Sequence, residues 1–236
     1  MTVKFSVAGG VATIVLNRPE VRNAVNLQMC DALLAAAEDI SRKDIRVVFV
    51  RGRGLVFCGG ADLLERKGKN EEWIRARRMK AFAAYAALES LPMPCIALVQ
   101  GAAIGSGVEI AAACDFIVAT PDASFRTPEA QRGTVGATQR LPRIIGKRMA
   151  KDLMFTGRSL SAAEAREAGF VARIATDLEE EARRIAGEIL QAPPLALKLA
   201  KRTIDRGVEL DPQGALQAEI EAIEEQLAAG QWMGKT

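Results

Sequence analysis

Short apolar runs punctuate the first half of the chain, and their lengths and bounding residues predict alternating strands and helices. VATIVL at 11–16, IRVVFV at 45–50, CIALV at 95–99 and DFIVA at 115–119 read as strands. Between the first two, Asn26 is placed to cap a helix with Cys30, Leu33, Leu34 and Ala37 on one face. Met79, Phe82, Ala83 and Ala86 mark a second helix between 71 and 90. Beyond about residue 175 the pattern is helical, broken at Pro193-Pro194 and around Asp211-Pro212. Leu216, Ile220, Ile223 and Leu227 form a last apolar stripe on an otherwise acidic helix, a pattern that means core or subunit packing rather than a ligand site. Such alternation predicts an α/β fold with buried strands. Neither an internal sequence repeat nor a low-complexity segment is visible.

Composition narrows the picture. With 236 residues, 49% of them hydrophobic, the chain can bury the core of one large domain. A net charge of only +3 predicts no dedicated nucleic-acid binder. The four cysteines, at 30, 58, 95 and 114, form no CxxC pair and lie in apolar surroundings, so reduced, buried thiols and a cytoplasmic location are expected. MTVKFSVAGG has no apolar signal-peptide core, and no run of 18 uninterrupted apolar residues occurs, so neither secretion nor membrane association is expected.

There is no histidine. Ser-His-Asp and Cys-His nucleophilic systems and an HExxH zinc site are thereby excluded, no cysteine spacing offers another metal cage, and neither GxxxxGK[ST] nor GxGxxG occurs. No metal and no separate cofactor are expected. Acid and base work falls to carboxylates, lysines or the sole tyrosine, Tyr85.

Two glycine-rich stretches suggest which carboxylates. FCGGADL at 57–63 and GAAIGSGVEI at 101–110 allow the backbone to approach a ligand closely and aim main-chain amides at one point. A helix starting near Ser106 would present free N–H groups and its positive end to an oxyanion. A pair of such donors forms an oxyanion hole, in which one donor is worth about 3–4 kcal/mol of transition-state stabilisation. Glu109 falls in the first turn of that helix, and a chain reversal after CDFIVAT can return Glu129 to it. Two carboxylates in a dry cleft have their pKa values pushed apart, leaving one as base and the other as acid. Taken singly, the glycines also suit tight helix–sheet packing, and either glutamate also suits a solvated helix start.

The ordered set FCGGADL, GAAIGSGVEI, CDFIVAT, FRTPE and TQRLPR resembles the enoyl-CoA hydratase/isomerase, or crotonase, family, from NRPEVRNAVN at 17–26 through GRSLSAAEAREAGFV at 157–171 and more loosely beyond. The resemblance implies a spiral core of repeated ββα units over residues 1–192. It also implies a helical region over 193–236 that builds a trimer or a dimer of trimers. Ala61 and Ser106 match the family's two oxyanion donors, with serine where glycine is usual. Glu109 and Glu129 match the catalytic glutamates of the hydratases. Arg22, Val25, Asp62 and Leu63 match positions that hold coenzyme A, which here is part of the substrate. Arg22 is expected either to pair with a phosphate or to be merely solvated.

The implied activity is hydration of a 2-enoyl-CoA to a 3-hydroxyacyl-CoA in fatty-acid or related acyl-CoA metabolism. A Δ3,Δ2-enoyl-CoA isomerase of the same fold is the alternative, although it needs only one carboxylate. A third reading, an RNA-binding protein like the methylglutaconyl-CoA hydratases, would use the basic run at 66–80. That run interleaves acids with bases, so a solvated helix face is its first reading and a phosphate-facing lid its second. Three departures stand out. RGTVGAT replaces a longer glycine-rich linker after Glu129. Arg126 stands where glycine is frequent and is expected to lower the pKa of Glu129. QWMGKT ends the chain short of the family's usual terminal helix.

Overall fold

Strand pairing and helix order are taken from a computed structural model, which describes residues 1–230. The segment QWMGKT lies outside the described residues, and so does any reading placed on it. The main sheet has six strands: β1 (Val3–Ala8), β2 (Val11–Leu16), β3 (Val47–Gly52), β4 (Cys95–Val99), β6 (Phe116–Ala119) and β9 (Arg173–Ile174). They lie side by side in that order, the first pair antiparallel and the rest parallel. A second sheet joins β5 (Ala102–Ile104), β7 (Ser124–Arg126) and β8 (Ser159–Ser161). The helices are α1 (Leu27–Ser41), α2 (Glu71–Glu89), α3 (Ser106–Ala112), α4 (Arg140–Thr156), α5 (Ala162–Glu167), α6 (Leu178–Gln191), α7 (Pro194–Gly207) and α8 (Pro212–Ala228).

Successive ββα turns give one strand to each sheet: β4 then β5 before α3, and β6 then β7 before α4. The repeat is geometric, which is why no sequence repeat announces it. The continuous apolar runs follow from burial on both faces of the parallel sheet. Val48, Val50, Ala97 and Val99 face the large core with α1 and α2, whereas Val47, Phe49, Ile96 and Leu98 pack against Ile185 and Ala186 of α6. The four strands expected from the sequence coincide with β2, β3, β4 and β6; the short strands of the second sheet carry too little pattern to be read. Asn26 caps α1 as expected, its side chain accepting from the Met29 N–H at 2.9 Å. Among the described residues, no helix is long and apolar enough to cross a membrane.

The helix expected between 71 and 90 is α2, but the residues that mark it in the sequence are not its buried face. Met79, Phe82, Ala83 and Ala86 are exposed, and the helix instead buries Arg77, Ala81, Ala84, Tyr85 and Leu88. Small apolar residues occur on several sides of this helix, so its pattern cannot fix its rotation, and a buried arginine with local partners falls on the inner side. The apolar stripe of α8 is likewise not core of its own chain: Leu216, Ile220, Ile223 and Leu227 are exposed, while Ala218 and Ala222 are buried.

Asn23 fastens the NRPEVRNAVN segment beneath the first glycine loop. It is buried with φ 54°, a left-handed conformation that asparagine tolerates better than most residues. Its Nδ2 donates to the carbonyls of Arg53, Val56 and Phe57 at 3.0, 2.9 and 3.1 Å, and its Oδ1 accepts from the Arg18 N–H at 2.9 Å. Asn23→Ala orphans these buried groups, and a loss of about 3 kcal/mol is expected by urea unfolding. A loss well under 1 kcal/mol would show that the network is dispensable.

Candidate active site

The first glycine loop presents its N–H by a pairing rule. Ala61 forms an isolated parallel bridge with Val25, in which the Val25 N–H bonds the Gly60 carbonyl at 2.8 Å and the Asp62 N–H bonds the Val25 carbonyl at 2.9 Å. The residue at the centre of a parallel bridge directs its own N–H to the opposite side, and the Ala61 N–H has no backbone or side-chain acceptor among the described residues. Gly60 adopts φ 102°, and a Cβ there would stand 3.0 Å from the Ile104 carbonyl oxygen. The second loop ends in Gly105, with φ 50° and ψ −107°, as the N-cap of α3. Ser106 is the first residue of that helix, where a backbone N–H has no intrahelical acceptor. Ala61 and Ser106 line one cleft of about 390 Å³ with Glu109 and Glu129.

Glu109 is buried in the first turn of α3. Burial raises its pKa above the usual carboxylate range, against the pull of Arg140 and of the Ala137 N–H. Arg140 Nη1 lies 3.4 Å from Glu109 Oε2, and its Nη2 lies 2.6 Å from Glu89 Oε2. Ala137 belongs to the shortened loop after Glu129 and takes φ 55°, rare for a β-carbon residue. That strained turn directs its N–H at Glu109.

Glu129 follows β7 and returns to the cleft. Its side chain lies over Gly105 and Gly136, where a Cβ would stand 2.6 Å from Oε1 and 3.0 Å from Cγ respectively. Its Oε2 is buried without a partner among the described residues. Burial raises its pKa, and the neighbouring Glu109 charge adds to the rise, opposed by Arg132 and Arg78. The expected lowering by Arg126 is therefore overturned. Arg126 pairs with Ser159 at the strand end, and its Nε donates 2.6 Å to the Gly157 carbonyl at the end of α4.

The four positions matched to coenzyme A separate. Leu63 lines the cleft and is exposed. Arg22 is exposed on the rim of the first loop, with φ 55° and its carbonyl accepting from the Gly59 N–H at 2.7 Å. The Val25 side chain is core, and its carbonyl already accepts from Asp62 and from Arg77. Asp62 is held 2.8 Å from Arg18 Nη1 and caps the Leu64 N–H at 3.1 Å. Although burial opposes it, Arg18 and these N–H groups lower the Asp62 pKa.

The solvated reading of the basic run holds for Lys67, Lys69, Arg75 and Lys80, which are exposed, and fails for three arginines. Arg66, Arg77 and Arg78 line the cleft, and Glu65 of the loop after Leu63 pairs with Arg77 of α2 at 3.4 Å. Sequence reasoning also missed Arg140 and the inward face of α2. A signal for the latter exists: Arg78, Ala81, Phe82 and Tyr85 stand at i, i+3, i+4 and i+7, and all four line the cleft. The Tyr85 hydroxyl is buried beside the Ser106 side chain, and burial pushes its pKa well up. Among the described residues, no three histidine, cysteine, aspartate or glutamate side chains gather to hold a metal ion.

The fold and the cleft define an α/β protein in which Ala61 and Ser106 of two glycine loops line one cleft with two glutamates. The chain belongs to the enoyl-CoA hydratase/isomerase family, which it matches over residues 6–231. It is 40% identical over 216 residues to the mitochondrial enoyl-CoA hydratase domain-containing protein 2 of Bos taurus, covering 86% of this chain and 72% of that protein. It is 37% identical over 226 residues to the short-chain-enoyl-CoA hydratase of Clostridium acetobutylicum, covering 92% and 86%. The crystal structure of an enoyl-CoA hydratase from Bacillus anthracis superposes with a TM-score of 0.92 at 38% identity, covering 95% of this chain and 90% of that one. The fold is that of the crotonases.

Proposed function

We propose that the protein is a 2-enoyl-CoA hydratase. The observation that carries this reading is the buried Glu109 and the half-buried Glu129, whose Oε2 is buried, in one cleft with Ala61 and Ser106. The thioester carbonyl oxygen binds both amides, which withdraw electron density from C3. Glu109, kept ionisable by Arg140, takes a proton from water as its oxygen bonds to C3. Glu129, whose burial favours the protonated form, delivers a proton to C2. The unpartnered Glu129 Oε2 favours this over the isomerase, which shuttles one proton between C2 and C4 through a single carboxylate. RNA binding loses support, because Arg66, Arg77 and Arg78 of the basic run line the cleft.

The same reading includes self-association. Residues 1–192 form the spiral core and 193–236 the oligomerising region, where Ile204, Val208, Leu216 and Leu227 are exposed apolar side chains for a partner subunit to cover. Light scattering is expected to give a trimer or a hexamer. A monomer at micromolar concentration would remove that part. The intracellular setting expected from four cysteines is carried with it; all four are buried and free.

The direct test is loss of the conjugated enoyl absorbance when the protein meets crotonyl-CoA. Turnover is expected. No turnover, with isomerisation of a 3-enoyl-CoA instead, would replace the hydratase by the isomerase.

A further inference from the structure

Three guanidinium groups, those of Arg66, Arg77 and Arg78, belong to residues lining the cleft, and among the described residues only Arg77 has a carboxylate partner. Arg77 is 3% exposed, lies 3.4 Å from Glu65 and also donates to the Val25 carbonyl. Arg78 donates to neutral oxygens alone, the Thr134 hydroxyl and the Val135 carbonyl, the latter at 2.8 Å. Arg66 makes no ion pair among the described residues, and its Nε is buried without an acceptor. The other acids in the cleft do not balance these charges. Glu109 is shared with Arg140, and Glu129 is pushed toward its neutral form. Like charges drawn together in a partly closed space repel, and an arginine fork facing open space is matched in shape and charge by a carboxylate.

We propose that Arg66 and Arg78 form an anion site for a carboxylate at the far end of the acyl group, so that the substrate is the mono-thioester of a dicarboxylic acid. This rests on the acyl-CoA reading above and adds the acyl class to it. Position favours an acyl carboxylate over a phosphate of coenzyme A. Arg78 shares a helix face with Ala81, Phe82 and Tyr85, Tyr85 adjoins Ser106 of the oxyanion pair, and the Arg78 charge reaches Glu129. The phosphates of coenzyme A are separated from the reacting carbonyl by the whole pantetheine arm, too far to meet groups next to the catalytic acid. A purely aliphatic acyl chain would gain nothing from these arginines and would cost them hydration.

The test compares glutaryl-CoA with pentanoyl-CoA by calorimetry, two saturated esters of equal chain length that cannot be hydrated. Wild-type protein is expected to bind glutaryl-CoA tighter by about tenfold or more, the value of a charge-assisted hydrogen bond. Arg66→Met and Arg78→Met are each expected to abolish that preference while leaving pentanoyl-CoA and free CoA binding unchanged. Equal affinity of the two esters for the wild type overturns the anion site and leaves the hydratase reading intact. Equal weakening of both esters and of free CoA in the variants also overturns it, since the arginines then read phosphate. Failure of every CoA species to bind overturns both. Arg78 also ties α2 to the loop after Glu129, so if its variant does not fold, the wild-type comparison and Arg66→Met decide alone.

Discussion

Glu109→Gln is expected to lower crotonyl-CoA hydration by roughly 10²- to 10⁴-fold, the usual worth of a positioned general base. The substitution keeps the shape of the side chain and removes its basicity. Arg140 retains Glu89 at 2.6 Å, so the surrounding packing has no cause to change, and calorimetry should find CoA-ester affinity preserved. Glu129→Gln is expected to fall in the same range for the complementary reason, loss of the proton donor to C2. Either variant turning over at the wild-type rate would defeat the two-carboxylate mechanism. The wild-type profile should be bell-shaped. As pH falls, Glu109 gains a proton and ceases to act as base; as pH rises, Glu129 loses the proton it must give. Burial raises the pKa of both above ordinary carboxylates, so the acid limb should lie above the usual glutamate range.

Gly105→Ala should be nearly as damaging although it removes no functional group. Gly105 sits at φ 50° and ψ −107°, which costs a residue with a β-carbon about 1–3 kcal/mol. The added methyl would also stand 2.6 Å from Glu129 Oε1. The loop must shift, moving the Ser106 N–H, or Glu129 must withdraw; each route misplaces part of the site, and a 1 Å misplacement alone costs about 10²-fold. The double variant Gly105→Ala/Glu129→Gln should be little worse than the single ones, because both act on one unit. Multiplied losses in the double variant would show that the glycine acts apart from Glu129. Gly136→Ala, whose Cβ would meet the flexible Glu129 Cγ at 3.0 Å, is expected to be milder on the same assay.

What could be read from residues alone was local in origin. The buried strands announced themselves because both faces of a parallel sheet exclude polar side chains, and Asn26 announced the start of α1 because a helix end needs an acceptor for its free N–H groups. The glycine loops and the two glutamates were legible because an amide pair needs backbone freedom at fixed places along the chain. Tertiary structure alone decided the rest. Which side of α2 faces inward was set by packing against the rest of the chain, which buries Arg77 and places Arg66 and Arg78 along the cleft. The pairing of Arg140 with Glu109 joins two helices, and no periodicity spans that interval. The rise of the Glu129 pKa, against the expectation set by Arg126, followed from where the strand end aimed each side chain. The sequence by itself marked Ala61, Ser106, Glu109 and Glu129, which share this cleft; the pKa directions of the two acids and the cations beside them were set by burial and by long-range contact, which exist only once the chain has closed around the cleft.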